Sequence, residues 1–119
     1  MVLVDTSVWV AHFRKKDPIL KALLDEGGVV MHPFVVGEIA CGNPVPRGEI
    51  LGLLASLPSA VLATDREVLS FIEGNRLAGS GVGYLDVHLL ASAKLTKAPL
   101  WTVDSALRRA ASRLGVAYQ

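Results

Sequence analysis

The segment Met1-Val2-Leu3-Val4-Asp5-Thr6-Ser7-Val8-Trp9-Val10 joins an apolar run to a carboxylate and two hydroxyls, then turns apolar again. A continuous run such as Val2-Leu3-Val4, with no polar alternation, reads as a strand covered on both faces, as in a parallel sheet. Asp5 then stands at the carboxyl end of that strand, the edge where open α/β sheets place their ligands. Asp5 or Thr6 equally suits the N-cap of a following helix. The choice turns on whether other acids reach the same edge.

The chain has 119 residues, which suits one domain spanning 1–119 with a core of its own. Its 51% hydrophobic content and mean hydropathy of +0.44 imply a sheet covered on both faces and a further apolar surface for a partner. The apolar runs are too short to span a bilayer. The first residues lack a basic region and carry Asp5 within their apolar stretch, so no signal peptide is read there. Cys41 is the sole cysteine, which excludes an intrachain disulfide and a cysteine-built zinc site. A cytoplasmic location is the default expectation. The net charge of +1 is unlike that of a polybasic binder. The clusters Arg14-Lys15-Lys16 and Arg108, Arg109, Arg113 read as solvated helix faces.

Outward from the first strand, Val8 to Phe13 reads as a short helix. Pro18 opens another, with Ile19, Leu20, Leu23 and Leu24 as its stripe and Gly27-Gly28 as its stop. Val29-Val30-Met31 is a short strand, and His32-Pro33 turns the chain into a helix containing Glu38. Ile50 to Leu57 is a helix ended by Pro58, and Ala60 to Ala63 is a strand or an extended connector. Thr64-Asp65-Arg66-Glu67 has the spacing of a capping box, which accounts for Asp65 structurally. Gly79 to Gly83 is a loop without the features of a phosphate loop. Tyr84-Leu85-Asp86 opens a strongly apolar helix. Leu100-Trp101-Thr102-Val103 is a strand followed by Asp104 and a last helix, and Val116-Ala117-Tyr118 is a possible edge strand. Short apolar strands alternating with helices give an α/β fold with a mostly parallel sheet.

Asp5 and Asp104 each follow an apolar strand and would emerge at one edge of a parallel sheet. Asp86 begins a buried helix, near the positive end of its dipole. Glu38 sits among Val35, Val36 and Ile39, so it either points to solvent or meets a positive charge, because a buried unpaired carboxylate costs several kcal/mol, on the order of 3–5. Oxygen ligands without histidine or cysteine suit Mg²⁺ or Mn²⁺, and the chemistry of such a site is hydrolysis of a phosphodiester by activated water. Helix termini also explain three of the four acids, so on spacing alone the structural and catalytic readings stand side by side. His12, His32 and His88 lack paired spacing and read as structural or surface residues. Trp9 and Trp101 read as core packing, and Cys41 as a small buried residue.

The segments Val4-Asp5-Thr6-Ser7-Val8-Trp9, Glu38-Ile39, Gly81 to Ala93 and Leu100-Trp101-Thr102-Val103-Asp104 resemble the PIN-domain family. More narrowly, the chain resembles VapC-type toxins of bacterial toxin–antitoxin pairs. The resemblance spans the chain in order. It implies a three-layer α/β/α fold with a short central sheet, and a Mg²⁺-dependent endoribonuclease, with Mn²⁺ as substitute. Asp5, Asp86 and Asp104 would be the core metal ligands, with Glu38 holding a second ion or orienting the water. Thr6, Ser7 and Thr102 match hydroxyl positions beside the acids or phosphate. Also implied are 5′-phosphate and 3′-hydroxyl products, a VapB-like antitoxin as partner, and a homodimer. The chain is short for the group and its Gly42 to Pro46 loop compact, which bears on the width of the RNA groove. A catalytically silent PIN-fold binding module is the alternative. A haloacid-dehalogenase-type phosphatase would need a second aspartate where Ser7 stands, and a receiver domain would need a lysine after a late strand that the Trp101 to Asp104 segment lacks.

Overall fold

Val2–Val4 (β1) is the middle of three parallel strands, with Val29–Val30 (β2) on one side and Leu100–Trp101 (β3) on the other. The computed structural model describes all residues, 1–119. Leu3 pairs with Val30 and with Leu100, so β1 is hydrogen-bonded along both edges. Side chains of a strand alternate between faces, yet Val2, Leu3 and Val4 are all buried. Both faces of the sheet are therefore covered, and the fold is layered helix–sheet–helix. Single parallel bridges, Met31 to Ser59 and Leu100 to Ala117, widen the sheet by one residue pair on each side. The Ala60 to Ala63 segment is accordingly a connector, and the Val116 to Tyr118 edge amounts to one bridge.

Seven helices surround the sheet: Thr6–Arg14 (α1), Pro18–Asp25 (α2), Pro33–Cys41 (α3), Arg47–Ser56 (α4), Asp65–Gly74 (α5), Tyr84–Thr96 (α6) and Ser105–Arg113 (α7). Most begin on a side chain that satisfies the free N–H groups of a first turn. Asp17 accepts from Ile19 and Leu20 ahead of Pro18, and Thr64 and Glu67 form the expected reciprocal capping box. Helix α6 is the most deeply packed, with Val87 through Ala93 all buried. Its Val87, Leu89, Leu90, Ala91 and Ala93 join Trp9, Leu3, Leu100 and Leu107 in one apolar core of 25 buried residues. Each fully buried Leu or Val there contributes roughly 1.5–3 kcal/mol.

In α3 the core side is narrow. Val35 and Ile39 are buried, while Gly37, Glu38 and Cys41 are exposed. Residues 34, 37, 38 and 41 share a face at helical spacing, and that face looks away from the sheet. This corrects the expectation of a buried Cys41, and it resolves Glu38, which points to solvent rather than into the core.

No helix is long and apolar enough to cross a membrane.

Candidate active site

Because β2 and β3 flank β1 on opposite sides, the chain crosses away from β1 in both directions. The carboxyl end of β1 is thus a switch point of the sheet, where a crevice opens. Asp5 stands there, 6% exposed. It is also the N-cap of α1. Its Oδ2 accepts from Ser7 Oγ at 2.6 Å and from Thr102 Oγ1 at 2.8 Å, with the Ser7 N–H more distant at 3.4 Å. A hydroxyl has one proton. Those of Ser7 and Thr102 both point at Asp5, so the 3.2 Å approach of the two oxygens to each other is packing. The same oxygens accept from the backbone of the β3–α7 connection: Val103 N–H to Ser7 Oγ at 3.2 Å, and Asp104 N–H to Thr102 Oγ1 at 3.0 Å. One small network thereby ties the ends of two neighbouring strands to one carboxylate.

Asp104 repeats the theme as the N-cap of α7, where its Oδ1 accepts from the Leu107 N–H at 2.9 Å. Glu38, on the outer face of α3, takes the Thr6 hydroxyl on Oε1 at 2.8 Å. Asp5, Glu38 and Asp104 thus each have one oxygen engaged and the other without a protein donor.

Asp86 lies in the first turn of α6, half-buried, three residues past the N-cap position, which Gly83 holds. Its carboxyl is held above the usual aspartate range. Burial is the largest cause, followed by the charges of Asp5, Asp104 and Glu38, and the backbone of Gly83 partly offsets them. The other three acids of the sequence pattern therefore all lie close enough to act on Asp86. The four do not form a finished cage, since no three converge on one point at ligating distance. Like charges repel, and closing such a set favours a cation among them. The donor set fits Mg²⁺ or Mn²⁺: carboxylate oxygens only, three of the four acids with a free oxygen, and no cysteine or histidine in the network.

Thr6, Ser7 and Thr102 all bond to one of these acids. The histidines lie elsewhere. His12 Nδ1 accepts from the Asp17 N–H. His32 caps α3 by accepting from the Phe34 N–H and is pushed down to about 4, first by burial and then by neighbouring His88. His88 is buried beside Asp65, a contact that spacing along the chain does not announce. Trp9 is fully buried and Trp101 partly so, against Tyr118.

Beside Glu38 a groove of about 380 Å³ runs between α1, α3 and the loop after it, lined by Val10, Phe13, Arg14, Glu38, Ile39 and Val45 among others.

The PIN domain family model matches residues 2–113. Ribonuclease VapC32 of Mycobacterium tuberculosis strain CDC 1551 / Oshkosh is 42% identical over 118 residues, covering 98% of this chain and 95% of the relative. Ribonuclease VapC32 of strain ATCC 25618 / H37Rv gives the same figures.

Proposed function

The chain belongs to the PIN-domain family, and from that premise we propose that it is a divalent-metal-dependent endoribonuclease, the toxin of a toxin–antitoxin pair. The observation that carries the reading is the gathering of Asp5, Glu38 and Asp104, each with one carboxylate oxygen held by a protein donor and the other free, around the half-buried Asp86 whose charge they oppose. Such a set is disfavoured as it stands and is relieved by a cation. The ribonuclease name of a relative matched over nearly the whole chain supports the same chemistry.

Asp5, Asp86 and Asp104 would hold Mg²⁺, or Mn²⁺ in its place, and Glu38 would hold a second ion or orient the attacking water. When bound, the ion supplies Lewis acidity toward a phosphodiester and its attacking water. Ser7 and Thr102 fix the Asp5 carboxylate by one oxygen and leave the other for the ion. Thr6 fixes Glu38 in the same way. Products would carry 5′-phosphate and 3′-hydroxyl ends. The whole chain would act as a single domain in the cytoplasm and as a homodimer. A VapB-like antitoxin would cover the groove beside Glu38, whose wall offers exposed Val10 and Val45 with the cation of Arg14. A second reading, a PIN-fold binding module without catalysis, draws on the open spacing of the acids.

The test is cleavage of a mixed RNA pool, including intact transfer and ribosomal RNA, with Mg²⁺, with Mn²⁺ and with EDTA. The Asp5→Asn variant runs beside it. We expect metal-dependent cutting that disappears in the variant while the fold is kept. Full activity in Asp5→Asn would remove the metal-site assignment. No cutting by folded, antitoxin-free protein would favour the binding module.

A further inference from the structure

We infer that Asp65 is a positioning residue, which clamps the first turn of α6 from outside and so fixes Asp86 relative to the other acids. The inference rests on the nuclease reading above. Asp65 is the first residue of α5, but α5 does not need it as a cap, because Thr64 and Glu67 already satisfy each other there. Its carboxylate turns instead to α6. Oδ1 accepts the Tyr84 hydroxyl at 2.9 Å and lies 3.2 Å from His88 Nε2, somewhat off the line of a hydrogen bond. Tyr84 and His88 are one helical turn apart, and Asp86 lies between them in the chain.

The clamp meets a local deficiency. Helices α1, α3 and α7 start on a capping side chain, Asp5, His32 and Asp104 respectively. Helix α6 starts on Gly83, which provides none. The loop before it holds Gly79 and Gly81 at positive φ, a conformation open mainly to glycine. The turn that carries Asp86 therefore lacks a capping side chain at its N-cap position. The rings extend the clamp toward α3: Tyr84 meets His88 edge-on with centroids 4.7 Å apart, and His88 meets Phe34 at 4.8 Å. Glu38 lies one turn beyond Phe34 on that helix. A single oxygen on α5 thus stiffens the seam between the helix of Asp86 and the helix of Glu38.

The variants Asp65→Ala, Asp65→Asn and Tyr84→Phe test this, since Asp65 is exposed and its removal leaves the core intact. Amide hydrogen exchange in EDTA should quicken at Val87 and His88, the first amides of α6 that bond back into the helix, in Asp65→Ala, with α1 and α7 unchanged. Asn keeps an acceptor for Tyr84 and should restore much of the protection. Groups that bond a metal ligand directly typically influence affinity or activity by about 10–100-fold, and Asp65 acts one contact further out, through Tyr84 and His88. For an exposed contact the lower end applies. Asp65→Ala should weaken Mn²⁺ binding and lower kcat by about tenfold, with the KM for RNA little changed. Tyr84→Phe should fall between that variant and the wild type. Unchanged exchange, or quickened exchange with wild-type Mn²⁺ affinity and kcat, would overturn the inference. A wild-type chain that binds Mn²⁺ yet cuts no RNA would instead overturn the nuclease reading, and the clamp would then stand or fall on exchange and Mn²⁺ affinity.

Discussion

Asp5 and Asp86 approach the same rim from opposite structural circumstances. Asp5 is nearly inaccessible, but two hydroxyls meet its carboxylate and it caps the helix it precedes. Burial there is compensated, and the residue serves the fold whether or not it serves chemistry. Asp86 is less buried, is met by no hydroxyl and only partly offset by the backbone of Gly83, and is opposed by three like charges. Its charged form is the one the folded state disfavours. An acid that the local structure explains and an acid that the local structure resists can share one site, and the second is the better indicator of function.

The sharpest way to break this contrast is to neutralise the two in parallel. Asp5→Ala and Asp86→Asn are both expected to lower RNA cleavage at least about 100-fold, and their stabilities should move in opposite directions. Asp5→Ala loses a cap and strands two hydroxyls, at about 1–3 kcal/mol in urea denaturation. Asp86→Asn removes a charge that the folded state disfavours, so its melting temperature in EDTA should exceed that of the wild type. The sign follows from linkage. The carboxyl of Asp86 is raised in the folded state, so its destabilisation is complete above that raised value. It fades as pH falls through it, and the gap between variant and wild type closes on acidification. An Asp86→Asn protein less stable than wild type in EDTA would end the contrast.

A smaller effect tests how Asp5 is compensated. Ser7→Ala or Thr102→Val each removes one donor from its carboxylate. Each should cost about 1 kcal/mol of stability and about tenfold in cleavage, and the double variant should lose less than the sum because both serve one oxygen. Additive losses would show the two hydroxyls acting separately.

An effect on stability alone, away from the acids, concerns the cap of α3. His32 accepts from the Phe34 N–H, so it must stay neutral to serve α3, and burial pushes it down to about 4. Its ordinary value is 6.5, so the stability it lends is complete above that pH and is lost as pH falls through the window toward about 4. This is the reverse of Asp86. A His32→Asn variant, which keeps the capping acceptor, should show a flatter stability curve across that window, measured by denaturation at stepped pH.

Much of this was legible in the residues. Val2-Leu3-Val4 reads as a doubly covered strand because nothing in it alternates. Thr64 and Glu67 read as a capping box because the box is local. Asp5 and Asp104 could be placed at one edge because both follow strands of a parallel sheet. Cys41 reads as buried because a free cysteine usually behaves as a small hydrophobe, but its place on α3 faces outward. The buried stripe of α3 is only Val35 and Ile39 wide, and Gly37, Glu38 and Cys41 fall outside it. Asp65 was not legible as a partner of Tyr84 and His88, since the contact spans 19 residues to the first of them and depends on how α5 packs on α6. The capping box offered a sufficient local account of it. Tyr84 and His88 at helical spacing around an acid were the one available signal.

The position of β1 between β2 and β3 has a consequence in time. Asp5 cannot receive the Thr102 hydroxyl until a strand 97 residues later has arrived. A chain made in order from its amino end therefore carries its central strand unpaired along one side through most of its synthesis. Long-range parallel pairing of this kind is slow to form. The acids then come together late in folding, and a chain that stops short of β3 holds Asp5, Glu38 and Asp86 without Asp104 and without the rim that gathers them.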